Sequence, residues 1–104
     1  GMVREYLETL LPDNWNEMSL YERRNFLNGS EFGEVSVKGT VKRTKVCNME
    51  IWCECFGKAK ADLKRLDANA ISAIMAKMEG WQKMSKKSRF GIYGAAAGYE
   101  RIEI

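Results

Sequence analysis

An α+β fold is predicted by three observations. Val41 to Cys47 is rich in Val and Thr and alternates weakly, as a short strand would. Two segments with helical periodicity follow, Met49 to Phe56 and Asp67 to Met78. Short extended stretches come next, the first two joined by the basic turn SKKS at residues 85–88. Strand, helix, connection, helix and hairpin is the layout of a winged helix-turn-helix, with the C-terminal β-hairpin as its wing.

Each element has a local reason. Val3, Tyr6, Leu7, Leu10 and Leu11 lie at helical spacing, and Pro12 stops that helix before an Asp13-Asn14 turn. Ser19 and Glu22 form a capping-box pattern, so a short helix is expected from Leu20 to Leu27. It ends at Asn28-Gly29. Leu20, Phe26 and Leu27 face inward, and Arg23 and Arg24 read as its solvated face. Ser30 to Gly39 has little apolar content and reads as a loop or linker with room for one short strand. Residues 1–39 are therefore expected to be an N-terminal helical arm and linker, and residues 40–104 a winged-helix domain.

In that domain Asn48 is a good N-cap. Ile51, Trp52, Cys55 and Phe56 then share one helical face, and Gly57 ends the helix. KAKADLKR is a polar connection with Leu63 as its buried candidate. Asp67 caps the next helix, whose apolar face is Ala70, Ile71, Ile74, Met75 and Met78, and Gly80 terminates it. Trp81 to Met84 and Arg89 to Tyr93 form the hairpin, and Tyr99 to Ile104 a last strand. Trp52, Trp81, Met75 and Met78 read as core.

Composition narrows the function. The chain has 104 residues, 45% of them hydrophobic, which is one domain's worth. No run approaches the roughly 18 apolar residues of a membrane span, and MVREYLETLLP is charged and interrupted early, unlike a signal peptide. No membrane partner is expected. Gly1 before Met2 reads as a protease scar, consistent with a piece of something longer. With no histidine, His-based general bases, nucleophile pairs and metal ligands are excluded.

The three cysteines all fall within VKRTKVCNMEIWCECFG, residues 41–57. An odd number cannot complete an intramolecular disulfide framework, which suits a reducing, cytoplasmic setting. Their spacing lacks the paired pattern of a zinc site. Cys53 and Cys55, two apart on a helix, point roughly 200° apart. They read as structural, with Cys55 as a small core hydrophobe. The phosphate-loop pattern is absent. No enzyme activity and no cofactor are expected.

Charge points toward a partner. Residues 1–37 carry three basic and seven acidic side chains; residues 38–104 carry fourteen basic and seven acidic. A basic C-terminal two-thirds suits an anionic partner, nucleic acid being the commonest, although a solvated basic face would look the same. In the winged-helix layout, Asp67 to Met78 is the recognition helix, with Asn69, Ser72, Ala73, Ala76 and Lys77 outward. Lys83, Lys86, Lys87 and Arg89 furnish the wing. Lys58, Lys60, Lys64 and Arg65 precede the recognition helix and can grip phosphates. Lysines supply affinity without sequence information. Base readout needs Arg, Asn or Gln at base edges, and the outward face offers few, so weak readout of duplex DNA is expected.

The runs LYERRNFLNG, TVKRTKVCNMEIWCECFGK, DLKRLDANAISAIMAKMEGW, RFGIYG and YER together resemble the C-terminal region of the virulence-associated protein E family. Those are phage- and prophage-associated proteins with a helicase-like P-loop ATPase, some linked to primases. The resemblance runs from about Tyr6 onward and is most specific between Thr40 and Trp81. It implies a DNA-handling accessory domain of a mobile-element DNA replication protein, placed after the ATPase, with no catalytic residues of its own. One departure is the loop after Gly94, where Ala95, Ala96 and Ala97 stand in place of polar or basic residues. The competing expectation is a protein-interaction module. It would dock on the parent ATPase or a replication partner through Ala73 and Ala76 and through the arm's Leu7, Leu10 and Leu11.

Overall fold

The computed structural model describes residues 1–29 and 38–102. It is an α+β arrangement of four helices and short antiparallel strands. The first helix, α1 (Met2–Glu8), buries Val3, Tyr6 and Leu7. It is shorter than its periodicity suggests. A proline disfavours helical geometry in the residue before it, and the chain is already extended at Thr9. Leu11 instead exchanges backbone hydrogen bonds of 2.8 Å with Val41 in both directions. Leu11 packs with Trp15 and Met18 in a small satellite cluster, while Leu10 is exposed.

The helix α2 (Leu20–Leu27) matches its expected bounds, with both capping-box bonds formed: Glu22 N–H to Ser19 Oγ at 3.2 Å and Ser19 N–H to Glu22 Oε1 at 2.9 Å. The linker expected over residues 30–39 lies almost wholly outside the described residues. The strand β1 (Lys45–Val46) is a remnant of the one expected over Val41 to Cys47. Arg43 interrupts it by turning fully inward.

Two helices follow. The first, α3, is an α-turn over Asn48–Glu50 that widens into a π-helix over Ile51–Cys55. Cys47, not Asn48, holds the N-cap position, and its N–H is taken by Glu50 Oε1 at 3.1 Å. Asn48 is drawn to the second helix, α4 (Arg65–Ala76): its Nδ2 donates to Ser72 Oγ at 3.1 Å, and its Oδ1 accepts from the Tyr99 hydroxyl at 2.9 Å. α4 begins two residues earlier than its hydrophobic pattern implies. Asp67 sits in its first turn rather than at the cap, and Oδ2 accepts from Lys64 N–H at 3.1 Å. Ile71 and Met75 are buried, whereas Ala70 and Ile74 are exposed, so the buried stripe is narrower than expected.

The hairpin is paired differently from the sequence reading. The strand β2 (Trp81–Lys83) pairs with β5 (Tyr99–Arg101), and β1 pairs with the other side of β5. The sheet order is β1-β5-β2, all antiparallel. Residues 84–98 form an excursion between β2 and β5. It contains a small ladder of β3 (Ser88–Arg89) with β4 (Ala95–Ala96), and a 3-10 turn over Gly91–Tyr93. Gly91 and Gly94 have φ of 58° and 73°, which breaks the strand expected from Arg89 to Tyr93. Ala95 and Ala96, of the alanine run after Gly94, are thus a strand in this ladder.

One main core joins α1, β1, α3, α4, β2 and β5. Val3, Tyr6 and Leu7 of α1 pack in the same cluster as Val46, Ile51, Trp52, Cys53, Ile71, Met75, Trp81 and Tyr99. The helix of the expected arm therefore shares its core with the later elements; of its expected docking residues Leu7 and Leu11 are buried and Leu10 is exposed. Gly98 lets the excursion close onto this core. A Cβ there would lie 2.6 Å from the Val46 carbonyl oxygen and would also strike the Phe90 ring. Gly98→Ala is expected to destabilise the protein by about 1–3 kcal/mol, the usual range for overpacking. Chemical denaturation against wild type measures it, and an unchanged midpoint would mean the excursion is not tightly seated.

Candidate nucleic-acid interface

The surface of interest is held from beneath by a buried ionic cluster. Glu50 and Glu54 stand in the otherwise apolar run MEIWCECF, residues 49–56. Every side chain from Glu50 to Glu54 is buried. One face of an α-helix cannot bury five successive side chains. The wider π turn, closed by Phe56 N–H to the Ile51 carbonyl at 3.0 Å, brings both carboxylates inward.

Two arginines meet them. Arg23 of α2 is wholly buried, and its Nη1 donates to Glu54 Oε2 at 2.7 Å and lies 3.5 Å from Glu50 Oε2. Its Nε and Nη2 donate to the Met18 and Trp15 carbonyls at 3.2 and 2.9 Å. Arg43 comes from the segment before β1. Its Nη1 is 3.5 Å from Glu50 Oε2 and its Nη2 is 3.9 Å from Glu54 Oε1. The Arg43 guanidinium also lies 4.3 Å from the centre of the Tyr6 ring. That aromatic face compensates in part for Nε and Nη2, which lack hydrogen-bond partners among the described residues. Two hydroxyls complete the cluster: Tyr6 donates to Glu54 Oε1 at 2.6 Å and Tyr93 to Glu54 Oε2 at 2.8 Å.

Burial shapes the acid-base chemistry here. It pushes the Glu50 carboxyl up to about 7, against the pull of Arg43 and Arg23 and with the push of Glu54. Burial raises the Tyr6 and Tyr93 hydroxyls well above the usual phenol range, so both remain donors. It also raises the Cys47 thiol to about 12 and the Cys55 thiol to about 11, which leaves both protonated at neutral pH. Cys47 and Cys53 are the core thiols, whereas Cys55, expected in the core, is only half-buried. Among the described residues, no three His, Cys, Asp or Glu side chains are grouped to hold a metal ion.

The excursion of residues 84–98 is fastened to this cluster. Tyr93 reaches Glu54, and Arg23 lies 5.5 Å from the centre of the Tyr93 ring. Gly91 is pressed so close that a Cβ there would sit 2.6 Å from Arg23 Nη2. Phe90 is buried, with Lys45 Nζ 5.2 Å from its ring centre and 2.7 Å from Ser88 Oγ. The base of the excursion is therefore fixed; Lys86, Lys87 and Arg89 are exposed on it, and Lys83 is exposed at the end of β2.

The connection between α3 and α4 is pinned in the same manner. Trp52 Nε1 donates to the Ala59 carbonyl at 2.7 Å, and Arg24 Nη2 donates to the Lys58 carbonyl at 2.9 Å. Lys58, Lys60 and Lys64 are exposed along it, as are Arg65, Asn69 and Lys77 on or at the end of α4. Ser72 is the exception. Its hydroxyl is half-buried and engaged by Asn48 and Tyr99, so it does not belong to the outward face. None of the nine exposed cations named here takes part in a salt bridge among the described residues.

Sequence reasoning missed the ionic cluster. Arg23, expected on a solvated face, is buried, and Arg24 is half-buried. A signal did exist: two glutamates four apart inside an apolar run demand buried cations.

No protein-family model matches the chain, and no curated protein matches it. Among the described residues, no helix is long and apolar enough to cross a membrane.

An ordinary glutamate titrates at about 4.3. Between there and about 7 the folded chain holds a proton at Glu50 that the unfolded chain has lost. Stability from that neutral carboxyl is lost as pH rises through the window, by up to roughly 3 kcal/mol. Glu50→Gln is expected to flatten this part of the pH-stability profile and to match or exceed wild type at pH 8. Arg23→Met, which strips Glu54 of its closest cation, is expected to cost about 3–5 kcal/mol. Urea denaturation of both variants across pH 5 to 8 tests the pair.

Proposed function

We propose that this chain is a nucleic-acid-binding module of the winged-helix type. In this reading α3 and α4 are the helix pair, and residues 84–98 are the wing between β2 and β5. The strand order β1-β5-β2, with the helix pair between its first and second strands in sequence, supports it. The observation that carries the proposal is the placement of the exposed cations. Nine of them fall in the connection into α4, on α4, at the end of β2 and on the wing, with Lys38 and Lys42 before β1, while the arginines that hold the fold together are turned inward.

The ligand is duplex DNA, gripped mainly through its phosphates. Lysines on a fixed scaffold gain affinity by counterion release. The resemblance to the C-terminal region of the virulence-associated protein E family supplies the context: an accessory module of a phage or mobile-element replication protein, beside a P-loop ATPase. A protein-interaction reading draws on one feature, an apolar groove between Met2, Val3, Phe56, Ile74 and Met78.

Changing Lys86, Lys87 and Arg89 together to Ala is expected to weaken duplex binding and to lower the slope of log K against log salt by up to roughly three units. Fluorescence anisotropy at several salt concentrations measures it. An unchanged slope removes the wing from the interface, and no binding by wild type at low salt sinks the proposal in favour of the interaction module.

A further inference from the structure

The start of α4 carries three exposed side chains that the core does not need. Arg65, Leu66 and Asn69 all point to solvent, and Leu66, at 81%, is the most exposed large hydrophobic among the described residues. The sequence pattern placed Arg65 in the connection. The structure places it in the first turn of the helix, four residues before Asn69. Residues four apart share one helix face.

Arg and Asn are the two side chains that read guanine and adenine by paired hydrogen bonds in the major groove, and an apolar group next to them fits the thymine methyl. The neighbourhood favours a polyanion. Lys58, Lys60, Lys64 and Lys77 flank the face, and the Asp67 carboxylate is committed to the Lys64 backbone. Asp62 and Glu79 are exposed before and after α4, not on it. A single strand would need stacking rings. Among the described residues, Trp15, Trp52, Trp81, Phe90 and Tyr99 are all buried, and the exposed ring, Tyr21, lies on α2.

We propose that Arg65, Leu66 and Asn69 form a base-reading face that gives this module a short sequence preference in duplex DNA. The inference rests on the nucleic-acid-binding reading above and adds specificity to it. Its geometry sets the motif. A rise of about 1.5 Å per residue separates Arg65 and Asn69 by about 6 Å along the helix axis. Base pairs repeat at about 3.4 Å per strand. The guanine and adenine contacts therefore fall about two base steps apart, with a thymine methyl beside them under Leu66.

Selection from a random-core duplex pool, then anisotropy on the selected and scrambled duplexes at several salt concentrations, tests this. The pool is expected to enrich a G and an A about two steps apart. Asn69→Ala and Arg65→Ala are each expected to reduce the preference for the selected duplex by about 5- to 100-fold. Asn69→Ala is expected to weaken binding to the selected duplex and leave the scrambled duplex unchanged, whereas loss of a phosphate contact would weaken both alike. Leu66→Ala is expected to relax discrimination at the thymine alone. These residues are exposed, so thermal unfolding midpoints are expected to stay at wild type. Duplex binding with a linear salt dependence but no enriched motif overturns the base-reading face and leaves the phosphate-binding reading standing. Absence of duplex binding at low salt overturns both. Full discrimination kept by Leu66→Ala overturns the leucine's part and turns that side chain over to a protein partner.

Discussion

The contact between Arg23 and Glu54 is the one on which the rest of the structure depends. At 2.7 Å, with both side chains withdrawn from solvent, it joins α2 to α3 through a pair that cannot be half removed. Around it gather Tyr6 from α1, the Trp15 carbonyl from the 3-10 turn before α2, Arg43 from the approach to β1, Glu50 from α3 and Tyr93 from the excursion after β2. Two formal cations and two formal anions make the cluster neutral when Glu50 is ionised. Desolvation is nevertheless costly enough that Glu50 takes up a proton far above the usual carboxylate range.

The division between arginine and lysine follows from the same physics. Arg23, Arg24, Arg43 and Arg101 all make bonds to carboxylates or backbone carbonyls inside or at the edge of the fold. A guanidinium can present several fixed donors to several acceptors at once and tolerates an aromatic face. The outward set is mostly lysine, whose strongly hydrated point charge suits a mobile contact with a phosphate better than a buried lattice of bonds. The few outward arginines, Arg65 and Arg89, stand out against that background.

Much of the fold was legible because local signals agreed. The Ser19 and Glu22 capping box fixed α2, and the apolar spacing of Ile71 and Met75 located α4. What escaped was tertiary. Arg43 lies in a stretch that alternates like a strand, but its charge is needed by Glu50, and this cuts the strand to Lys45–Val46. Arg23 sits in a polar helix whose hydrophobic pattern is weak, so nothing in periodicity marked it as interior. Trp81 to Lys83 was given the wrong partner because its true neighbour, Tyr99 to Arg101, is separated from it by the whole excursion. The exposed cations were legible as a charge imbalance. Ser72 was not, because its two partners come from Asn48 and Tyr99, far away in sequence.

The sheet order has a kinetic meaning. β1 and β2 do not touch; each is hydrogen-bonded only to β5, which arrives last. Arg101 also ties back to the beginning of the chain, through the Leu7 carbonyl at 3.1 Å and Glu8 at 2.9 Å. No ladder of this sheet can form until residues 99–101 are available, and loops of that span are slow to close. During synthesis, α2, α3 and α4 can be in place while the sheet is still missing its middle strand. Docking of Arg101 is then the event that joins α1 to the sheet, and loss of residues 99–101 would leave β1 and β2 with nothing between them.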